Sequence, residues 1–214
     1  MSPDDRYDVS DLSEAQFEPG SDGLVLKNLL GIISPAEVDI AEANALVAAV
    51  DRLVRLYDEE HRFTANDICE FHRIWLGGIY VWAGEYRQVN VSKGDFMFAA
   101  AGRIPALMAE YERDVLSCYT PCKFATQEEI AHALAEAHVE LVLIHPFREG
   151  NGRISRVLST LMALQAGLPL LDFSLIANEM KENYFAAVRA GLDRNYRPME
   201  RIFAEVIGRS VAGS

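Results

Sequence analysis

No apolar run in this chain approaches the length of about 20 residues that a membrane-spanning helix needs. The first residues are polar and acidic and lack the apolar core of a signal peptide. Both absences lead to an expected cytoplasmic location. Cysteine is scarce: Cys69, Cys118 and Cys122 are three in number and show no recurring metal-ligand spacing. Neither a disulfide framework nor a zinc site is expected from them, so they read as free thiols in a reducing compartment. Positive charge is in deficit, with 20 Lys and Arg against 32 Asp and Glu and a net charge of −12. That excludes nucleic acid or an anionic membrane surface as the main partner. No internal repeat, low-complexity tract or dividing linker is present.

What remains suits one core. The 214 residues are half hydrophobic, and apolar residues recur mainly at helical spacing. Residues 1–23 read as a polar arm and 24–214 as the folded domain. Leu24 to Ile33 reads as a short buried segment. Ser34-Pro35-Ala36-Glu37 carries the signals of a helix start and capping box. The helix expected from there to about Tyr57 would bury Ile40, Ala43, Leu46, Val47, Val50, Leu53 and Val54. Thr64 opens a second helix with Ile68, Phe71, His72, Trp75 and Leu76 on one face, stopped by Gly77-Gly78. Tyr86, Val89 and Val91 suggest a strand. Lys93-Gly94-Asp95 reads as a turn, and Phe96-Met97-Phe98 returns from it. Further helices are expected over Ile104–Val115, from Thr126, over Asn178–Ala190 and from Arg197-Pro198. The fold class is all-α, a single helical domain with one small β-hairpin.

The chemistry concentrates in His145-Pro146-Phe147-Arg148-Glu149-Gly150-Asn151-Gly152-Arg153, with Arg156 just beyond. The run lies between two apolar helices, the second starting at about Asn151 or Gly152. A helix N-terminus offers unpaired amides and partial positive charge, and Gly150 and Gly152 bring no Cβ to crowd an anion there. Arg153 and Arg156 project from one flank and can grip further phosphates. Glu149 would repel bare phosphate, but makes sense with magnesium between them. His145 is the only side chain of the run that can accept a proton near neutral pH. Phe147 is expected to pin the loop into the core. Chemistry alone does not choose among phosphate reactions.

His-Pro-Phe-x-Glu-Gly-Asn-Gly-Arg-x-x-Arg over residues 145–156 resembles the complete signature of the Fic-domain family. The resemblance implies a Fic-type fold and an enzyme that moves AMP from ATP to a Tyr, Ser or Thr hydroxyl of a target protein, releasing pyrophosphate. By the same resemblance His145 is the base and Glu149 holds magnesium. Gly150, Asn151, Gly152 and Arg153 bind the α- and β-phosphates, and Arg156 the γ-phosphate. Trp82 to Arg87 and the hairpin Ser92, Lys93, Gly94, Asp95, Phe96, Met97 and Phe98 are similar to the family's flap, which aligns the target through its strand edge. Transfer of phosphate or UMP, or a silent nucleotide- or partner-binding module, are the competing readings. Gly152 counts against the phosphorylating branch, where lysine is common.

Many relatives carry an internal inhibitory motif, Ser/Thr-x-x-x-Glu-Gly/Asn, whose glutamate meets the second signature arginine. Only Ser10 and Glu14 have this spacing here, and Ala15 follows instead of Gly or Asn. The expectation is therefore inhibition by a separate small antitoxin protein engaging Arg156, as in the toxin–antitoxin class.

Overall fold

Two capping boxes fix where buried helices begin in the computed structural model, which describes residues 12–213. Thr64 and Asp67 exchange side-chain-to-backbone bonds at the start of one, and Thr126 and Glu129 at the start of another. The order is α1 (Pro35–Leu56), α2 (Ala65–Leu76), β1 (Ser92–Lys93), β2 (Phe96–Met97), α3 (Ile104–Tyr111) and α4 (Ser117–Tyr119). There follow α5 (Gln127–Ile144), α6 (Asn151–Gln165), α7 (Ser174–Asn178), α8 (Lys181–Ala190) and α9 (Arg197–Ala212). A π-helical stretch, Glu112–Leu116, joins α3 to α4.

The bundle is built around α5. Its buried residues cover all but one stripe, that of His132, Glu136, Glu140 and Leu143, and Ala131, Ala133, Ala135 and Ala137 let neighbours approach closely. It packs chiefly on α6 and α9, while α1 lies against α2 and touches α6. The all-α expectation holds, and so does the buried face of α2.

Several expectations need correction. Ser34 makes no capping bond to α1. The buried residues of α1 are Val38, Glu42, Ala49 and Leu53, whereas Ile40, Ala43, Val47 and Val54 are exposed. Leu46, Val50 and Leu53 turn toward the core as expected, with Glu42 among them, while a second aliphatic stripe, Ile40, Val47 and Val54, stays outward. In the segment before it Val25 is buried, but Leu24, Leu29, Leu30 and Ile33 are exposed. The helix expected over Asn178–Ala190 starts later, as α8 at Lys181, and Asn178 instead ends the separate short helix α7.

The hairpin is shorter than its sequence suggests. Ser92 pairs with Met97 and Lys93 with Phe96, so Lys93 is in the strand and the turn is Gly94-Asp95. Residues 86–91 are not strand because other groups take their hydrogen bonds. The Glu14 carboxylate accepts from Gln88 N (2.6 Å) and Val89 N (3.0 Å). The Arg87 guanidinium donates to Val89 O (2.7 Å) and Ala99 O (2.6 Å).

Candidate active site

α5 ends at His145 because the backbone turns left-handed there, with φ +54° and ψ +59°. The residue that follows is Pro146, which disfavours helix in the residue before it. The loop then closes on itself. Asn151 Oδ1 accepts from Phe147 N and Asn151 Nδ2 donates to Phe147 O, both at 2.8 Å. The Asn151 side chain is thus consumed in shaping the loop, and its backbone amide is what it presents to a ligand. No acceptor among the described residues takes the N–H of Asn151 or Gly152, so the first turn of α6 offers two open donors.

The glycines have different reasons. Gly150 has φ +81°, and a Cβ there would lie 2.5 Å from the Trp75 ring. Gly152 has open space around it, which leaves the amide approachable.

Two residues that sequence reasoning left unassigned fasten the loop. His72 is fully buried; its Nδ1 accepts from Gly84 N (2.8 Å), so Nε2 carries the proton and donates to Glu149 O (3.1 Å). Phe147, also buried, stacks on its ring at 4.0 Å. Arg87 is buried and donates through Nε to His145 O (2.7 Å), while its backbone N–H reaches Pro146 O. It thereby ties the hairpin to the loop. His72 was read only as a member of an apolar stripe; a histidine in such a stripe needs polar partners, and that was the available signal.

His145 stands with its Nδ1 3.1 Å from Val142 O. A carbonyl can only accept, so Nδ1 carries the proton and Nε2 keeps its lone pair. The ring stacks on Phe98 at 3.6 Å. Burial lowers its pKa to about 4, so it is neutral and able to accept a proton at pH 7.

Arg153 is held from three sides. Its Nη1 meets Glu42 Oε2 at 2.6 Å, its Nη2 meets Glu149 Oε1 at 3.2 Å, and its Cζ lies 4.5 Å from the centre of the Trp75 ring. Glu42, 3% exposed, also accepts from Tyr80 Oη at 2.7 Å. Glu42 was overlooked because a single acid inside an apolar helix reads as surface. Glu42→Ala leaves Tyr80 Oη and Arg153 Nη1 without an acceptor. We expect stability to fall by about 1–3 kcal/mol, read from the urea midpoint; an unchanged midpoint would mean the triad is not formed.

Arg156 is half-buried and has no hydrogen-bond or ion-pair partner among the described residues. Burial lowers its pKa, yet an arginine stays charged. Glu14 does not pair with Arg156; its carboxylate is spent on Gln88 and Val89, and its carbonyl accepts from Arg148 Nε. Ser10 lies outside the described residues.

His145, Glu149, the Gly150–Gly152 turn, Arg153, Arg156 and, from the hairpin, Ser92, Lys93, Gly94, Phe96 and Phe98 line one cleft of about 1250 Å³, whereas Asp95 and Met97 do not line it. Tyr184 and Phe185 of α8 form its far wall. Lys93 Nζ sits 4.4 Å above the Phe185 ring and carries the hairpin tip across to that wall. Glu149 is the carboxylate of the cleft nearest the open amides, and no cluster of three or more metal-ligating side chains occurs among the described residues. One carboxylate plus substrate phosphates and water is a donor set that fits magnesium.

Burial depresses three histidines, His72 and His145 to about 4 and His138 to about 3. A lowered folded-state pKa stabilises the fold fully above the unfolded value near 6.5. That contribution is lost as pH falls towards 4. Each histidine then costs up to about 1.4 kcal/mol per pH unit. Urea midpoints should therefore decline from about pH 6.5 downward, before most carboxylates titrate. A flat response between pH 6.5 and 5 would contradict the burial.

Residues 62–163 match the model of the Fic/DOC family. The chain is 32% identical over 143 residues to the protein adenylyltransferase Fic of Drosophila melanogaster, covering 66% of this chain and 27% of that protein. It is 30% identical over 182 residues to protein adenylyltransferase fic-1 of Caenorhabditis briggsae, covering 82% and 34% respectively. The chain thus spans only about a quarter to a third of the length of these relatives. The fold superposes with a TM-score of 0.72 on the N-terminal Fic domain of a VirB-translocated Bep effector from Bartonella quintana, solved with bound ADP. The identity there is 25%, over 91% of this chain and 94% of that one.

Proposed function

This chain belongs to the Fic/DOC family, and from that premise we propose that it is a protein AMP transferase. It takes AMP from ATP and places it on a Tyr, Ser or Thr hydroxyl of a target protein. The observation that carries the proposal is the free Nε2 of His145 in the same cleft as the two open amides of α6. A base beside a phosphate cradle is what attack on a phosphorus requires. The relatives named above as adenylyltransferases favour AMP as the group moved.

The target hydroxyl oxygen attacks the α-phosphorus in line with the bond to the β-phosphate. His145 Nε2 takes the hydroxyl proton. The α-phosphorus–oxygen bond breaks, and pyrophosphate leaves with that bond's electron pair. The amides of Asn151 and Gly152 donate to phosphate oxygens as their charge grows. Arg153, braced by Glu42 and Trp75, and the unpaired Arg156 bind the phosphates that depart. Glu149 is the residue that would hold magnesium, which when bound offsets charge on the phosphates. The hairpin Ser92–Phe98 holds the target segment by its strand edge.

Inhibition is supplied by a separate small antitoxin protein that engages Arg156, which has no acidic partner of its own among the described residues. The reaction runs in the cytoplasm, where thiols such as Cys69, Cys118 and Cys122 stay reduced. The test is to supply ATP labelled on the α- or the γ-phosphate and follow label into protein. Label from the α-position alone supports AMP transfer; label from the γ-position would replace it with phosphate transfer.

A further inference from the structure

A buried chain of hydrogen bonds ends in the cleft, and the reaction as described leaves it unused. His138 of α5 is fully buried, with Nδ1 3.2 Å from Ser159 Oγ and Nε2 2.8 Å from Tyr184 Oη. Ser159 Oγ already donates its one hydrogen to Ser155 O at 2.9 Å. It can only accept from His138, so Nδ1 carries the ring's proton. Burial lowers the pKa of His138 to about 3, so the ring is neutral and Nε2 has only its lone pair. Tyr184 must then be the donor to Nε2. Burial pushes its pKa up to about 12, so it keeps the hydrogen it donates.

This chain fixes what Tyr184 offers the cleft. Its hydrogen points back at His138, so Oη has only lone pairs left to present. Such an oxygen repels phosphate and needs a donor between the two. Arg156 lines the same cleft and has no hydrogen-bond or ion-pair partner among the described residues. It is close enough to Tyr184 and His138 for its charge to favour the ionised tyrosine and oppose the charged histidine. Arg153 is near enough to repel it. Arg153 itself is braced by the Glu42 carboxylate. A neutral oxygen would brace Arg156 without cancelling the charge it brings to phosphate.

We propose that Tyr184 is a positioning residue: with nucleotide bound, its Oη accepts from the Arg156 guanidinium and aims it at the third phosphate of ATP. His138 and Ser159 hold that oxygen in orientation, so the brace ties α5, α6 and α8 to one arginine. The proposal rests on the reading above that Arg153 and Arg156 bind the departing phosphates.

Calorimetric titration of the full chain with ATP and with ADP, both with magnesium, tests it. Tyr184→Phe keeps the ring and removes the oxygen. ATP affinity should fall by about tenfold or more, as for loss of a hydrogen bond to a charged group. ADP affinity should hardly change. In an Arg156→Ala background, Tyr184→Phe should take nothing further from ATP affinity, because the two residues act as one. A tyrosine that only packs would lower the unfolding midpoint and weaken both nucleotides alike. Nitrogen NMR of the parent chain gives a second reading that needs no variant, with His138 expected as the Nδ1–H tautomer near neutral pH. Unchanged ATP affinity, equal losses for ATP and ADP, or a full loss in the Arg156→Ala background would overturn the proposal. So would an Nε2–H tautomer, because Tyr184 would then be free to turn its hydrogen to the cleft. These readings follow binding and not transfer, so failure of the brace is told apart from failure of AMP transfer.

Discussion

His145→Ala is expected to slow transfer by about a hundredfold to ten-thousandfold, the range for removing one general base. Nucleotide affinity should change little, because the amides of Asn151 and Gly152 and the two arginines are untouched. The loss belongs in the turnover step. His145 is in the left-handed region at φ +54°, so alanine adds backbone strain. His145→Asn separates the two effects, since asparagine tolerates that conformation and has no comparable base. Both variants should bind nucleotide and fail to transfer. Transfer by either variant within tenfold of the parent would remove His145 from the role of base.

Arg87→Ala should have the largest effect on the frame of the site. Its side chain bonds to carbonyls of Val89, Ala99 and His145. Removing it strands those acceptors and opens a gap in the core. A loss of about 3–5 kcal/mol is expected. The hairpin should also be freed from the loop, so the KM for a protein target should rise more than the Kd for nucleotide. Arg87→Lys should recover only part of the stability, since an ammonium cannot span carbonyls held by a planar fork. Denaturant unfolding and labelling kinetics on the same preparations read both effects. An unchanged unfolding midpoint would show that Arg87 does not hold the hairpin.

The loop between α5 and α6 was legible because its signals are local. A proline after the last helical residue, a Gly-Asn-Gly turn and a renewed apolar period state where one helix ends and another begins. The capping boxes at Thr64 and Thr126 are equally local. What failed to show in the sequence depends on distant partners. Arg87 and His72 bond to residues 57 to 77 positions away, and nothing beside them in the chain says so. The hairpin was read too long because the competing donors and acceptors, Glu14 and Arg87, are not in a strand pattern. The α1 face was misread for a related reason. It carries two aliphatic stripes, and the one turned inward contains Glu42, whose partners Tyr80 and Arg153 lie in other elements.

The most direct test is mass spectrometry of lysate proteins incubated with the purified chain, magnesium and ATP, beside a parallel incubation with His145→Ala. The prediction is an AMP adduct on a Tyr, Ser or Thr side chain, present with the parent and missing with the variant. An adduct of a different group, or an AMP adduct that persists with His145→Ala, would contradict it.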